Sequence, residues 1–459
     1  MIHRYQKKGL NFVLDVNSGA VHLLDDISYA VSGLIDENMT EACPESVVEA
    51  LPQYSADDVR EAYGELYELK KAGQLFAEDD YIDVSRYIPV GAPVKALCLH
   101  VAHDCNLRCK YCFASTGDFG QGRKIMPPEV AKKAIDFVIA RSGKRRNIEV
   151  DFFGGEPLMA WDTVTQTVDY ARSIEEQHGK KFRFTITTNG LLLDEDKRKY
   201  INENMDNCVL SLDGRREVND EFRKTVAGTG SYDTIVPKFK ALVDERDPNL
   251  DYYARGTFTS HNLDFAEDVL SIADAGFDRL SVEPVTADPG CGYDLTEDDL
   301  PKIEAEYDRL TDIMLERKKA GKPFTFFHFM VDLDQGPCVV KRLRGCGAGY
   351  EYVAVTPDGD IYPCHQFVGN EDFLMGNVWD GIKATDIQDE FKCCNVYAKE
   401  KCRNCFARFY CSGGCAANSY NFHGTITDAY DLGCELQKKR IECAIMIKAA
   451  EADMADDAQ

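Results

Sequence analysis

The chain has 459 residues and carries 78 acidic against 53 basic side chains, which gives a formal net charge of −25 and a pI near 4.8. This balance argues against a nucleic-acid backbone or an anionic membrane surface as a partner, because both are polyanions. No apolar run approaches the roughly 20 residues of a membrane span, and the first residues lack the apolar core of a signal peptide. We therefore expect a cytoplasmic protein, whose 18 cysteines indicate metal or redox sites rather than disulfides.

The first 85 residues are predicted to form a small winged-helix-like module. Predicted strands at residues 11–16 and 20–24 flank Asn17-Ser18-Gly19, a hairpin signal. The clearest helix is expected between its N-cap Ser55 and Gly73, with apolar residues at helical spacing. An acidic winged helix suits a peptide better than DNA. A plain N-terminal cap on the following domain is the alternative.

Three cysteines follow the next predicted strand, residues 94–102: Cys105, Cys109 and Cys112. Their spacing supplies three thiolates, one fewer than the four that normally hold a cubane iron–sulfur cluster. One iron would therefore keep an open position where a small molecule can bind, as catalytic metal sites do. An incomplete zinc knuckle, or three unrelated thiols, would be the alternative.

A second motif, Gly154-Gly155-Glu156-Pro157, ends the predicted strand at residues 148–154. Its glycines let the backbone approach a ligand closely, and the proline fixes the chain that leaves the turn. The two motifs, one strand–helix unit apart and in this order, together resemble the radical S-adenosylmethionine (SAM) superfamily. The resemblance implies that the open iron chelates the amino and carboxylate groups of SAM, and that the backbone of the glycine turn receives the amino group.

Strands and helices alternate from about residue 94 to residue 290. This pattern predicts an α/β fold with a parallel sheet rolled into a partial, TIM-like (β/α)6 barrel, whose site lies at the carboxyl ends of the strands. The predicted strands are residues 94–102, 148–154, 182–188, 207–212, 252–259 and 279–285. The predicted helices are residues 128–141, 161–178, 194–204, 231–246 and 265–275.

By the same resemblance, several residues of this barrel are expected to contact SAM. Ser211 and Asp194 would bond the ribose, and Arg223, or alternatively Arg255, would pair with the carboxylate. Tyr111, between the last two cluster cysteines, would pack near the adenine. No general base stands out among four candidates, Asp104, His328, Glu351 and His365.

A helix at about residues 296–319 leads to a second set of seven cysteines: Cys346, Cys364, Cys402, Cys405, Cys411, Cys415 and Cys434. A predicted hairpin at residues 352–362 would bring the first two together. This order resembles the SPASM extension of radical SAM enzymes, which implies two auxiliary [4Fe–4S] clusters. The four central cysteines would alternatively fit a zinc site.

In the SPASM pattern the ligands of the two auxiliary clusters interleave. The second cluster would take Cys402, Cys405, Cys411 and Cys434. The first would take Cys346, Cys364 and Cys415, which leaves it one ligand short. Either Cys338 or a thiolate of the substrate would complete it.

These predictions divide the chain into four parts. They are a precursor-peptide recognition domain (residues 1–85), a radical SAM partial barrel (86–295), a bridging helix and linker (296–340) and a C-terminal SPASM domain (341–459). The N-terminal module resembles the recognition domain of enzymes that modify ribosomally made peptides. In that family a strand edge and a helix hold the leader by strand addition.

The whole chain most resembles the maturases of SCIFF peptides, on segments such as Phe326-Phe327-His328-Phe329-Met330 and Arg344-Gly345-Cys346-Gly347. The resemblance implies an enzyme that installs Cys thioether cross-links in a cysteine-rich precursor peptide through a 5′-deoxyadenosyl radical. It also implies SAM, three [4Fe–4S] clusters and a flavodoxin- or ferredoxin-type electron donor. The alternatives are a formylglycine-forming sulfatase-maturing enzyme and a zinc-stapled peptide-binding scaffold.

Overall fold

The structure is a computed structural model that describes residues 1–86, 93–333 and 339–456. Its contacts divide the chain into two compact units. The first unit comprises Met1–Ile88, Val331–Gly345 and Asn395–Gly414, and the second comprises Pro89–Met330, Cys346–Cys394 and Cys415–Gln459. The units therefore interleave along the chain, whereas the predicted domains run consecutively, and the predicted boundaries stay predictions.

Seventeen strands are found in the described residues. They are β1 (Ile2–Lys7), β2 (Leu10–Asp15), β3 (Val21–Leu24), β4 (Ala96–His103), β5 (Leu107–Cys109), β6 (Lys124–Ile125), β7 (Asn147–Gly154), β8 (Lys181–Thr188), β9 (Asn207–Ser211), β10 (Arg223–Thr225), β11 (Asp251–Phe258), β12 (Arg279–Pro284), β13 (Thr325–Phe326), β14 (Tyr352–Val355), β15 (Asp360–Tyr362), β16 (Gly376–Asn377) and β17 (Gly381–Ile382).

The same part of the chain has seventeen α-helices. They are α1 (Asp26–Ser32), α2 (Glu45–Glu49), α3 (Ala56–Lys71), α4 (Tyr81–Arg86), α5 (Pro128–Arg141), α6 (Trp161–Ile174), α7 (Glu195–Asn204), α8 (Arg216–Phe222), α9 (Tyr232–Asp244), α10 (Phe265–Asp274), α11 (Leu300–Lys319), α12 (Val339–Arg344), α13 (Thr385–Cys393), α14 (Glu400–Arg403), α15 (Arg408–Cys411), α16 (Ala416–His423) and α17 (Asp431–Asp456). None of these helices is long and apolar enough to cross a membrane.

The first unit is built on a three-stranded antiparallel sheet in the order β1-β2-β3. The predicted hairpin is β2 and β3, and the helix α3 lies where it was predicted. The Ser55 side chain caps α3 by accepting a hydrogen bond from the Asp58 amide. The buried residues Val59, Tyr63 and Leu66 of α3 pack in the core of this unit. The strand β1 was not predicted, because its polar residues carry no alternating apolar pattern.

The late segment 395–414 packs with the N-terminal residues in this first unit. The Arg408 guanidinium donates a hydrogen bond to Asp79 at 2.9 Å and also contacts Asn17. The Tyr397 hydroxyl bonds to Asp79 as well. The ring of His3 stacks on Phe406 with centroids 3.5 Å apart. Three predicted cluster ligands, Cys402, Cys405 and Cys411, lie on this segment.

The second unit contains a twelve-stranded sheet in the order β13-β12-β11-β9-β8-β7-β4-β14-β15-β16-β17, with β6 paired to β4. Six consecutive strands of this order, β4, β7, β8, β9, β11 and β12, are parallel and alternate with helices along the chain. The α/β fold class is thus confirmed, and each of the six strands lies within about two residues of its predicted position. Among the described strands, β13 and β17 at the two ends of this order do not pair with each other, so the barrel is partial.

The hairpin of β14 and β15 extends this parallel sheet. Tyr362 pairs with Ala354 in the hairpin, and β14 runs parallel to β4 with Tyr352 beside Ala96. The hairpin matches its prediction, but its pairing with the barrel was not foreseen, because a contact between strands so distant in sequence leaves no local signal. The pairing places Cys364, just after β15, at the edge of the barrel.

Candidate functional site

A cavity of about 280 Å³ lies in the second unit, where the parallel strands end. Its wall includes the three cysteines of the first motif, Cys105, Cys109 and Cys112. The turn of residues 154–157 and three of the predicted SAM contacts, Tyr111, Ser211 and Arg223, also line it. The structure therefore brings these residues together around one space. Asp194 does not line this cavity.

The three-cysteine loop is held by a short strand that the sequence did not predict. In this loop β5 pairs antiparallel with β10, and Cys109 stands opposite Arg223. The Leu107 amide donates a hydrogen bond to Cys105 Sγ at 3.4 Å, and Asn189 Nδ2 donates to the same sulfur at 3.6 Å. Asn189 also bonds to Asn106 Oδ1 at 2.8 Å, which ties the loop to the end of β8. Asn189 was not predicted as a site residue, although it follows a strand at its carboxyl end.

The glycines of the turn are required by its close packing on the chain that leads to Cys105. The Gly155 amide donates to Ala102 O at 2.7 Å, and the Glu156 amide donates to Asp104 O at 2.9 Å. A Cβ atom on Gly154 would lie 2.2 Å from Ala102 O, and one on Gly155 would lie 2.1 Å from Asp104 O. The sequence predicted glycines that admit a ligand, and the structure adds a second reason for them, a backbone-to-backbone contact.

The Glu156 side chain is buried at the cavity wall. It accepts hydrogen bonds from the Leu158 amide at 3.0 Å, the Thr188 hydroxyl at 2.8 Å and the Asn189 amide at 2.7 Å. Burial raises its pKa to about 7, although these bonds oppose the shift. Glu156 thus joins the ends of β7 and β8.

A buried ion pair anchors Arg223 in the cavity wall. Arg223 Nε lies 3.1 Å from Asp213 Oδ1 but is not aligned to donate a hydrogen bond to it. Asp213 also accepts from the Tyr111 hydroxyl and, at 3.1 Å, from the Thr257 amide. Burial lowers the pKa of Arg223, but Asp213 more than compensates, so the guanidinium stays charged. Asp213 was not predicted as a site residue.

The predicted SAM contact Asp194 and the residues considered as a general base lie in different parts of the fold. Asp194 caps α7 by accepting from the Lys197 amide at 2.9 Å. Glu351 forms ion pairs with Lys95 and Arg145, and the His328 ring lies 3.2 Å from Ser281 Oγ. Among the four residues considered as a general base, His365 alone lines the cavity.

Several cysteines of the second set lie close to one another in the structure, and the predicted ligand sets stay predictions. In the second unit, burial and the nearby Cys415 and Cys346 raise the pKa of Cys364. In the first unit, burial and the nearby Cys405 raise the pKa of Cys411. Cys434 belongs to the second unit, and Cys338 lies outside the described residues. Within those residues no three His, Cys, Asp or Glu side chains are grouped closely enough to hold a single metal ion.

The residues of the cavity fit a cluster and SAM by the chemistry of their donors. Burial, and next Glu156, raise the pKa of Cys105 to about 12, and burial raises the pKa of Cys109 to about 11 although Arg223 opposes the shift. Thiolates in such surroundings require cationic partners, which iron provides. Ser211, Asn189 and Arg223 add a hydroxyl, an amide and a guanidinium to the same wall, as an amino-acid and ribose ligand requires.

Two family models match the chain. The Radical SAM superfamily model matches residues 99–250, and an iron–sulfur cluster-binding domain model, SPASM, matches residues 346–406. The chain therefore contains a radical SAM domain, followed by a SPASM iron–sulfur domain. Both domains were predicted from the cysteine motifs.

Three curated relatives share part or most of this architecture. An uncharacterized protein of Archaeoglobus fulgidus is 26% identical over 61% of this chain and 63% of its own length. The radical SAM cyclopropyl synthase TigE of Paramaledivibacter caminithermalis is 29% identical over 39% of this chain and 40% of its own. A cysteine-type anaerobic sulfatase-maturating enzyme of Clostridium novyi is 25% identical over 74% of this chain and 92% of its own. The chain thus spans less than two thirds of the first two relatives.

Solved structures share the fold at low identity. Native anSMEcpe with bound AdoMet (SAM) superposes on this chain with a TM-score of 0.65 at 21% sequence identity. The match covers 78% of this chain and 100% of the anSMEcpe chain. Streptococcus suis SuiB bound to precursor peptide SuiA superposes with a TM-score of 0.53 at 17% sequence identity. This match covers 94% of this chain and 98% of the SuiB chain. The likeness to SuiB extends over nearly the whole chain.

Proposed function

We propose that this protein is a peptide-modifying radical SAM enzyme that installs Cys thioether cross-links in a ribosomally made, cysteine-rich peptide of the SCIFF type. The observation that carries the proposal is the composition of one cavity wall. Cys105, Cys109 and Cys112 line the cavity together with His365 and Gln366, which directly follow Cys364. A peptide in this space would lie near the radical SAM cysteines and near a ligand of the first auxiliary cluster at once.

The proposed roles of the wall residues follow from their chemistry. Cys105, Cys109 and Cys112 would hold the first cluster, and Ser211 and Arg223 would bind the ribose and carboxylate of SAM. When bound, SAM and the cluster supply a 5′-deoxyadenosyl radical that removes a hydrogen atom from an unactivated carbon. The barrel residues hold the target carbon near that position and exclude water from it.

Cross-linking needs a second centre, because a carbon radical and a thiol together carry one electron too many for a stable thioether. A C–S bond forms, the carbon has lost a hydrogen atom, the thiol loses its proton, and one electron must leave. Cys346, Cys364, Cys415 and either Cys338 or the substrate thiolate would hold the first auxiliary cluster, which would supply the acceptor for this electron. Cys402, Cys405, Cys411 and Cys434 would hold the second cluster, which would supply a further redox centre. A flavodoxin- or ferredoxin-type protein would reduce the radical SAM cluster.

The N-terminal sheet is proposed to bind the leader of the precursor peptide. Among the described strands β3 pairs with β2 alone, so its other edge is open to an added strand. The fold shared with SuiB, a protein solved with its precursor peptide, supports this role. A peptide-binding N-terminal module favours modification of a precursor peptide over the maturation of a sulfatase. A sulfatase-maturing enzyme is the second candidate, because the relative in Clostridium novyi has that name.

The direct test is anaerobic incubation of the reconstituted protein with SAM, a strong reductant and a synthetic cysteine-rich precursor peptide of the SCIFF type. We expect the peptide to lose two hydrogens for each bridge while 5′-deoxyadenosine forms. Deoxyadenosine with an unchanged peptide would overturn the proposed substrate. A peptide with a sulfatase-type Cys motif, tested in parallel, should remain unmodified, and formylglycine in it would favour the second candidate.

Metal content separates both enzymes from a zinc-stapled scaffold. Three cubanes correspond to about twelve irons per chain with matching sulfide. Zinc without sulfide would instead support the scaffold.

A further inference from the structure

An ion pair in the same cavity has no role in the function described so far. Arg255 of β11 donates to Glu283 of the neighbouring strand β12 through two hydrogen bonds, Nε to Oε1 at 3.0 Å and Nη2 to Oε2 at 2.7 Å. In the register of these strands Arg255 stands beside Ser281 and Thr257 beside Glu283. Both side chains of the pair line the cavity near the ends of their strands.

The pair keeps unused hydrogen-bonding capacity. The side chains of Arg255 and Glu283 are 47% and 33% exposed, although both lie inside the barrel. Within the described residues Arg255 Nη1 has no hydrogen-bond partner, and each carboxylate oxygen of Glu283 accepts one bond from Arg255. Burial favours the neutral form of Glu283, but Arg255 prevails and holds its pKa at about 2, so both groups are charged. A donor edge and free acceptor sites therefore face the cavity.

Another part of the wall is aromatic. Phe113, Phe153 and His365 form a cluster with ring centroids 6.5 Å apart for the two phenylalanines, 5.5 Å for Phe113 and His365, and 5.0 Å for Phe153 and His365. Phe113 directly follows Cys112, and His365 directly follows Cys364. The aromatic cluster thus borders both the three-cysteine loop and the segment of the first auxiliary site.

A peptide that enters this space must satisfy its backbone. Each residue brings one amide N–H and one carbonyl, and an unpaired group that loses water costs free energy comparable to a lost hydrogen bond. The rings of Phe113 and Phe153 in the aromatic wall cannot provide such bonds. A guanidinium donates to a carbonyl and a carboxylate accepts from an amide, and these charge-assisted bonds are stronger than neutral ones.

We propose that Arg255 and Glu283 bind the backbone of the peptide residue that is modified, with Arg255 donating to its carbonyl and Glu283 accepting from its amide. The side chain of that residue then lies between the three-cysteine loop and the aromatic cluster of Phe113, Phe153 and His365. This inference rests on the proposed function, and it assigns the target-residue subsite of that cavity. It also leaves the SAM carboxylate to Arg223 and not to Arg255.

The test compares three variants of the full-length protein with a matched control. Arg255→Ala and Glu283→Gln each remove one partner, and the double exchange Arg255→Glu with Glu283→Arg restores an ion pair in reversed orientation. Arg279→Ala is the control, because Arg279 and Asp251 form a 2.8 Å ion pair on the same two strands outside the cavity. Binding of a fluorescent, leaderless core peptide reports on the subsite alone, and SAM binding and melting temperature are measured in parallel.

We expect each single variant to weaken binding of the core peptide about tenfold, the value of one charge-assisted hydrogen bond. SAM affinity should be unchanged, and the ratio of modified precursor to deoxyadenosine should fall. The reversed pair should restore the melting temperature but not peptide affinity, because donor and acceptor have exchanged places. Arg279→Ala should bind the core peptide as the wild type does.

Three results would overturn the inference. One is unchanged core-peptide binding in both single variants while the wild type converts the precursor. Another is a loss of SAM affinity in Arg255→Ala, which would assign this arginine to the SAM carboxylate. The third is full recovery of peptide affinity in the reversed pair, which would make the pair structural. If the wild type forms deoxyadenosine but converts no peptide, the proposed function itself fails and the inference fails with it.

Discussion

At the scale of single residues, the cavity wall combines residues of three kinds. They are cysteines whose thiols suit iron, polar residues that suit SAM, and glycines that the close backbone packing of the turn requires. The thiols and the glycine turn are visible in the sequence as compact motifs. Asn189 and Asp213 do not stand out in the sequence, because each of them positions another residue of the site. Asn189 bonds to Cys105, and Asp213 holds Arg223 and Tyr111. Such supporting residues are identified only once their partners have positions.

Replacing Cys105, Cys109 and Cys112 together by alanine should abolish SAM cleavage and leave two clusters. The iron content should fall from about twelve to about eight per chain, since only one cubane loses its ligands. Iron and sulfide analysis with deoxyadenosine detection measures both effects. Cys291→Ala is the control, because Cys291 is exposed and outside the cavity wall. Complete loss of iron from the triple variant would contradict the prediction.

Gly155→Ala should destabilise the fold, by about 1–3 kcal/mol as overpacking does. The added methyl group would lie 2.1 Å from the carbonyl oxygen of Asp104, and neither backbone can move without breaking the bonds of this turn. Denaturant unfolding of the apoprotein measures the change. Gly64→Ala serves as the control, because a Cβ there meets nothing within 4 Å and alanine favours the helix α3. Equal stability of the two variants would show that the turn can relax.

At the scale of elements, the two faces of the barrel strand β7 differ sharply. In β7 the residues Ile148, Val150 and Phe152 are completely buried. Asp151 and Phe153 point to the opposite face and are only partly buried. That inner face carries the polar and aromatic side chains which, at the strand ends, surround the cavity. Alternation along one strand therefore separates residues that stabilise the barrel from residues that can meet a ligand.

Asp151→Asn should raise stability at pH 8 and flatten its dependence on pH. Burial, and next Glu149, raise the pKa of Asp151 to about 7, so the folded state favours the protonated form. The wild type then loses stability as pH rises from about 4 to about 7, since the unfolded state releases this proton first. Because the side chain is partly exposed, we expect a gain of about 1–2 kcal/mol. Unfolding of the apoprotein between pH 5 and 8 measures it, with the exposed Glu176→Gln as the control. An unchanged slope in Asp151→Asn would contradict the prediction.

Leu23→Asp on β3 should weaken binding of the precursor peptide by about tenfold or more, because an added leader strand would bury the charge without a partner. Deoxyadenosine formation without peptide should not change. Fluorescence anisotropy of the labelled precursor measures the affinity. Leu23 is 47% exposed, and Leu34→Asp is a matched control because Leu34 is 46% exposed and lies outside the sheet. An equal loss of peptide affinity in both variants would indicate a general surface effect and would contradict leader binding by β3.

At the scale of the whole molecule, the proposed chemistry depends on segments that are far apart in sequence. The sheet joins β14 to β4, and the segment after β15 thereby lines the same cavity as the three-cysteine loop. The first unit in turn combines the N-terminal module with residues that carry three predicted cluster ligands. Removing residues 1–85 would therefore expose a cysteine-bearing segment in addition to any leader site, so single substitutions on β3 test that site more selectively.

Cys338→Ala should leave the first auxiliary cluster with an open iron if Cys338 is its fourth ligand, which is one of the two alternatives that the sequence leaves open. Electron paramagnetic resonance of the reduced protein, with and without a small thiol, should then show an altered signal that the thiol restores. Cys393→Ala is the control, since that exposed cysteine belongs to neither predicted ligand set. A fully cysteine-ligated cluster in Cys338→Ala would contradict the assignment.

The sequence by itself determined the radical SAM and SPASM domains, the six parallel strands and the hairpin before Cys364. Each depends on a local pattern: a thiol spacing, an apolar run of strand length, or a turn motif between two strands. These signals are local because the backbone and a few neighbouring residues suffice to produce them.

The tertiary structure alone decided which distant residues meet. The pairing of β5 with β10, the extension of the barrel by β14, the anchoring of Arg223 by Asp213 and the pair of Arg255 with Glu283 all join residues from separate segments. The physical reason is that such contacts form only when the whole sheet packs around its core. They join residues far apart in sequence, so no short segment predicts them.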